Sequence, residues 1–213
     1  MPLASRLPPL KLPQGTTLHD YFFAETAKYA EAKAMVNYNT KESLTFAEMR
    51  EKAKEVAAAL VCLGIEKGEV VLVALDNRPE TVYIILGISM AGAIASTVSP
   101  VCSSDEISHQ MESSFTRFVF AIPRGLPAVQ EIFHRLRREN RIIVVGARDD
   151  AKGLPILSDL ALAVDDLEAV SFPALTPEED VAYLPFSSGV HGDKKGILMT
   201  HAVMCNQLAI ANQ

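Results

Sequence analysis

Apolar positions recur along this chain with two periods, and the alternation between them predicts most of its elements. Over 45–63, Phe46, Met49, Ala53, Val56, Leu60 and Leu63 return at helical spacing, with Glu51, Lys52, Lys54 and Glu55 between them. Thr45, followed three residues later by Glu48, makes a capping box at the start of this helix, and Gly64 supplies its stop. Residues 70–75 are an unbroken apolar run, the mark of a strand covered on both faces. Further strands are predicted at 93–98, 118–122 and 141–145. Between them fall helices at 80–91, opened by Pro79 and ended by Gly92, at 103–114, with a Ser103–Glu106 capping box, and at 126–139.

Upstream, 17–34 is predicted to be mostly helical, with Leu18, Tyr21, Phe22, Thr26 and Tyr29 on one face. A short strand at 35–38 and a turn at 39–42 follow. Strands near 70, 93, 118 and 142 alternate with helices at the spacing of one βα unit, so the expected class is α/β, a parallel β-sheet with flanking helices. Residues 1–16 read as an extended, proline-rich arm and 17–213 as the domain. The pattern loosens over 147–180, around a short helix at 157–163.

Composition narrows the partners. Half of the 213 residues are apolar, enough for a real core, while a net charge of −6 argues against nucleic acid. No apolar run reaches the roughly 20 residues of a membrane span. Cys62, Cys102 and Cys205 offer neither a disulfide framework nor metal-ligand spacing, and read as core or edge thiols. The expected setting is intracellular and cytoplasmic, with a peroxisomal alternative for a longer parent chain. His19, His109 and His134 read as surface residues, and Arg135–Arg138 as a solvated helix face.

One stretch looks built for chemistry. In 181–201, Ser187, Ser188, Gly189, Gly192 and Gly196 surround Lys194 and Lys195, between two apolar runs. Small residues let backbone approach a phosphate, and hydroxyls and lysines supply donors and charge. The spacing is neither a Walker loop, since Lys194 stands where the second glycine belongs, nor a dinucleotide fingerprint. A plain hairpin with a glycine-containing surface loop remains the alternative.

The run Leu-Pro-Phe-Ser-Ser-Gly-x-x-Gly-x-x-Lys-Gly-x-x-x-Thr-His resembles the phosphate-loop signature of the AMP-binding, adenylate-forming superfamily, most of all its acyl-CoA synthetase and 4-coumarate–CoA ligase-like members. Leu44-Thr45-Phe46-Ala47-Glu48, Leu63-Gly64-Ile65, Asn77-Arg78-Pro79-Glu80 and Met90-Ala91-Gly92-Ala93 are similar to further family segments. The resemblance implies the N-terminal part of the large domain of such an enzyme. Its chemistry joins a carboxylate to the α-phosphate of ATP with loss of pyrophosphate, and a thiol then displaces AMP. It implies ATP with Mg²⁺ and coenzyme A as cofactors, and a small carboxylic acid as substrate, of a complete parent enzyme.

By that resemblance Ser187, Ser188, Gly189 and Gly192 wrap the β- and γ-phosphates, and Lys195 and Gly196 match the loop lysine and its following glycine. Val190 and His191 belong to the same loop, at two positions where the family usually has Ser or Thr; Lys194 replaces a residue that is commonly proline. His201 matches a histidine near the acyl side of the site and is the candidate catalytic residue; its alternative is a helix-start histidine behind a Thr200 N-cap. No metal ligand is predicted. The family's remaining site segments lie downstream of this loop, so the chain alone is expected to be inactive. The alternative is a non-catalytic, truncated binding or regulatory relative.

Overall fold

In a computed structural model, residues 11–212 are described, except 39, 140, 161–166, 168 and 189–193. The chain opens with α1 (Leu18–Thr26), capped by Thr17, whose side chain accepts the Asp20 N–H. A 3-10 turn (Ala27–Tyr29) ends it, short of the predicted 34. The reason is tertiary: β1 (Lys33–Val36) pairs antiparallel with β2 (Ser43–Thr45), a strand that the local pattern did not predict. Tyr29 is exposed instead of sharing the buried face.

Helix α2 (Phe46–Cys62) carries the Thr45–Glu48 capping box. Then β3 (Val70–Ala74), α3 (Pro79–Met90), β4 (Ile94–Thr97), α4 (Ser104–Ser113), β5 (Phe118–Ala121), α5 (Leu126–Arg135) and β6 (Ile142–Val144) alternate as expected. A short α6 (Leu157–Leu160) follows, and the rest of the helix predicted there lies outside the described residues. The chain continues through β7 (Val181–Tyr183), β8 (Phe186–Ser188), β9 (Lys194–Gly196), β10 (Met199–Thr200) and α7 (His201–Ala211).

Four of these helices stop in the same way. Gly64 and Gly92, at left-handed φ of 79° and 74°, end α2 and α3, and Phe115 and Arg137, both at 53°, end α4 and α5. Each lets the next N–H reach back to a carbonyl of the last turn, as Arg138 does to Phe133 at 3.1 Å. For α5 this places the end at Arg135 and corrects the predicted run to 139, because no glycine marks the stop.

The main sheet has the order β10-β7-β4-β3-β5-β6. All neighbours are parallel except β10, which returns antiparallel along β7. Alternation along β3 divides the core into two layers. Val71 and Val73 pack with α2 and α3, through Ala53, Val56, Leu60, Ile84 and Ile88. Leu72 and Ala74 face α4 and α5, through Ile107, Met111, Val129, Ile132 and Phe133. Each such large side chain contributes roughly 1.5–3 kcal/mol by leaving water. Among the described residues no helix is long and apolar enough to cross a membrane.

Candidate functional site

The motif stretch leaves the sheet as a separate two-stranded ribbon. Tyr183 ends β7, Leu184 donates its N–H to Ala95 O, and β8 then pairs antiparallel with β9. The register sets Phe186 against Gly196, Ser187 against Lys195 and Ser188 against Lys194. Directly opposed residues share a face of a ribbon, so Ser187 and Lys195 lie on one side. Both side chains are exposed, and Lys195 has no carboxylate partner among the described residues. The Phe186 ring and Leu184 fill the space beside Gly196. A Cβ there would meet Leu184 Cδ1 at 3.0 Å and Phe186 Cζ at 3.2 Å, which accounts for the small residue.

Lys194 behaves differently from its neighbour. Its Nζ pairs with Glu106 Oε1 at 2.6 Å, and its carbonyl meets His109 Nε2 at 3.1 Å. Glu106 Oε2 accepts from Ser103 N at 3.0 Å and from Ser103 Oγ at 3.2 Å. The Lys194 hydrogen bond and those of Ser103 hold the Glu106 carboxyl down at about 2, and the same pairing raises the Lys194 ammonium. The sequence marks Glu106 as a capping residue and His109 as a surface histidine, and both hold, but neither reading carries the contact with Lys194. The capping box is a local signal, whereas Lys194 is 85 residues from His109 and nothing local points to it.

Of the predicted phosphate residues, the ribbon brings Ser187, Ser188, Lys195 and Gly196 together. Gly189, Val190, His191 and Gly192 lie outside the described residues. His201 sits elsewhere. Thr200 caps α7, accepting the Val203 N–H, and His201 is fully buried behind it. Its Nδ1 accepts the Leu18 N–H at 3.1 Å, and its Nε2 has no partner among the described residues. Burial lowers its pKa against the opposing pull of Asp180 and Asp20.

The surface reading of His19 is corrected. Its side chain is 12% exposed, bonded to Ser89 Oγ at 3.0 Å and to Thr17 Oγ1 at 3.1 Å, with its ring edge-on to His201 at 6.1 Å. Its pKa drops to about 4, mainly by burial. The arginine run is also less free than its pattern suggests. Arg135 donates to Ser108 Oγ, and Arg138 to the carbonyls of Met111 and Thr116. All three cysteines are free thiols; Cys205 is buried and its pKa is pushed up to about 11.

At the carboxyl ends of β3, β4 and β7 opens a cleft of about 580 Å³. It is lined by Asp76, Asn77, Thr97, Ser99, Arg124 and Tyr183 among others, and Thr97 Oγ1 and Tyr183 OH lie 2.6 Å apart. Carboxyl strand ends, where the strand order reverses, are where α/β sheets bind ligands. Among the described residues no group of His, Cys, Asp and Glu could hold a metal ion.

Comparison with known proteins gives one answer. The sequence profile of the AMP-binding enzyme family matches residues 22–212. The 4-coumarate–CoA ligase CCL1 of Humulus lupulus is 32% identical over 96% of this chain, which spans 37% of that protein. Among solved structures, a long-chain-fatty-acid–CoA ligase (FadD1) of Archaeoglobus fulgidus superposes with a TM-score of 0.83 at 26% identity, over 99% of this chain and 42% of the other. The luciferase-like enzyme of Zophobas morio shares the fold, with a TM-score of 0.79 at 22% identity, over 91% of this chain and 45% of the other. The chain thus spans little more than a third of the length of the curated relative. With the ribbon, the parallel sheet and the matched residues in agreement, the chain belongs to the AMP-binding enzyme family.

Proposed function

We propose that this chain is the front, phosphate-gripping part of an AMP-forming carboxylic acid–CoA ligase, within a domain beginning at residue 17. The observation that carries this is the division of labour between adjacent lysines. Lys194 is neutralised by Glu106, while Lys195 stands exposed opposite the Ser187 hydroxyl. An exposed cation paired with a hydroxyl suits the charged end of a triphosphate. Ser187, Ser188, Lys195 and Gly196 would hold the β- and γ-phosphates, with Gly189, Val190, His191 and Gly192 completing the loop. The nucleotide supplies an activated phosphorus, at which a carboxylate forms an acyl-adenylate with loss of pyrophosphate; a thiol such as coenzyme A then displaces AMP. In a complete parent enzyme Mg²⁺ would accompany the nucleotide and offset its phosphate charge. The ligase names of the relatives support a small carboxylic acid as substrate; the cytoplasm is the proposed setting, with the peroxisome for a longer parent.

A second reading is favoured by Val190 and His191, which withdraw two hydroxyls from the loop. On it, the chain is a non-catalytic relative that binds or regulates. His201, buried and bonded to the Leu18 N–H, then serves the fold rather than the acyl group.

Fluorescent ATP binding to residues 1–213, with pyrophosphate exchange over a panel of carboxylic acids, tests both. Binding that weakens roughly tenfold in Lys195→Ala, the loss of one charge-assisted contact, supports the phosphate reading. Exchange at background is expected of this chain alone. Affinity unchanged in Lys195→Ala and Ser187→Ala would remove the phosphate role, and robust exchange would remove the non-catalytic reading.

A further inference from the structure

We propose that Glu106 and His109 on α4 are positioning residues for the phosphate ribbon, a role that rests on the function proposed above. Neither is placed to reach phosphate through its own charge or ring. Glu106 is an anion already paired to Lys194, and His109 is committed to the Lys194 carbonyl. They act through the backbone that carries Lys195.

Strand alternation makes this possible. Lys194 and Lys195 are neighbours on β9, so their side chains leave on opposite faces. One lysine can be spent on an anchor while the other stays free. Glu106 and His109 are three residues apart on α4, on one helix face. The first grips the Lys194 ammonium. The second takes the Lys194 carbonyl and sets its ring edge-on to Phe186, with centroids 6.5 Å apart. His109 thereby touches both strands of the ribbon. The hydrogen bond to a carbonyl requires His109 Nε2 to carry the proton.

A second set of contacts fixes α4 itself to the start of the ribbon. Gln110, next to His109, donates from Nε2 to Ser96 Oγ at 2.8 Å and to Thr97 O at 3.1 Å. Ser96 Oγ in turn donates to Leu184 O at 2.6 Å, two residues before β8 begins. Ser96 and Gln110 are buried. The ribbon is therefore tied to α4 at its entry, through a buried polar relay, and at its return, through Lys194. A ribbon held at both ends presents Ser187 and Lys195 in one orientation, and less ordering remains to oppose a ligand.

Hydrogen exchange over 186–188 and 194–196 in nucleotide-free protein, and fluorescent ATP affinity, are measured for the wild type, Glu106→Gln, Lys194→Met, His109→Ala and the swap Glu106→Lys with Lys194→Glu. Each single change is expected to speed ribbon exchange roughly fivefold and to weaken nucleotide binding by a similar factor, the range of a well-placed surface pair. The swap should restore both. A helix N-terminus carrying lysine weakens the cap, so exchange in α4 is followed as well; rescue of the ribbon with a looser α4 still supports the clamp. Ribbon exchange equal to wild type in Glu106→Gln and Lys194→Met would overturn the clamp and leave the phosphate reading standing. Faster ribbon exchange, with no nucleotide binding by the wild type, would overturn the phosphate reading and the positioning role with it, while the clamp would survive as architecture.

Discussion

The centre of the sheet and the β8–β9 ribbon are both built of short strands, yet they are held by opposite means. Every residue of β3 is buried, and its two faces are covered by different helix pairs. Along β9, Lys195 and Gly196 are exposed, and the fixed points are a salt bridge and a histidine contact from α4. Apolar burial gives the first region a deep, undirected stabilisation. On the proposed function the ribbon cannot use it, because groups that are to meet phosphate must stay open to solvent. Directional polar contacts replace it, each weaker but each specifying a position. The scaffold is stabilised by what it hides, and the ribbon is oriented by polar contacts that leave Lys195 exposed.

Overpacking the scaffold tests the first half of that contrast and should give the largest effect. Gly87 lies where α3 meets α2. A Cβ there would come within 2.7 Å of Ala53 O and of Val56 Cβ, and within 2.8 Å of Val56 Cγ1. Backbone and a β-branched side chain cannot move aside cheaply, so Gly87→Ala should cost about 3 kcal/mol. Urea unfolding reads this directly. A loss under about 0.5 kcal/mol would mean that the helices slide freely, and that the scaffold is looser than its burial implies.

The same contrast explains what could be read from the residues alone. Strands β3 and β5 are unbroken apolar runs because both faces are covered, and covering leaves its trace locally in composition. The capping boxes at Thr45 and Ser103 are local too, and both form. Strand order is not local. Nothing near Tyr183 indicates that β7 pairs with β4 through Ala95, or that β5 lies on the far side of β3. The resemblance singled out the motif residues Ser187, Lys195 and Gly196, and the ribbon brings them together. Their anchor was not legible, because Glu106 already satisfies a three-residue rule with Ser103 that hides its second partner. His19 was misjudged for the same reason: Ser89 and His201 reach it only through the folding of α1 onto α3 and α7.

Acid should separate the scaffold's seam from the ribbon. His19 in α1 faces Thr17 and Asp20 locally, Ser89 from α3 and His201 from α7. His201 also feels Asp180 and Lys67. Burial lowers both pKa values, for His19 from 6.5 to about 4. The folded state therefore keeps His19 neutral while the unfolded chain takes up a proton below 6.5. Stability is full above that pH and falls as pH drops toward 4, by on the order of 2 kcal/mol from His19. Glu106, held at about 2, stays charged across this window, so the Lys194 clamp should persist as the α1–α7 seam loosens. Urea midpoints between pH 7 and pH 4 should fall in the wild type and flatten in His19→Gln. Equal slopes in the two proteins would assign the acid sensitivity elsewhere.

The smallest effect is the sharpest probe, because the chain contains the same capping box in both regions. At α2, Thr45 Oγ1 accepts the Glu48 N–H at 3.1 Å, and Glu48 returns to the Thr45 N–H at 2.8 Å. At α4, Ser103 Oγ accepts the Glu106 N–H at 3.2 Å, and Glu106 returns to the Ser103 N–H at 3.0 Å. As caps the two are equivalent, and Thr45→Ala and Ser103→Ala should each cost about 1 kcal/mol. They differ in what the carboxylate does next. Glu48 has Lys52 nearby on its own helix, whereas Glu106 carries the ion pair to the ribbon. Removing the Ser103 hydroxyl frees the Glu106 carboxylate to turn, so Ser103→Ala should also speed amide exchange in 194–196, and Thr45→Ala should leave that segment unchanged. Matching losses of global stability with matching ribbon exchange would show that the ribbon is held by the fold at large and that Glu106 gives it no separate support.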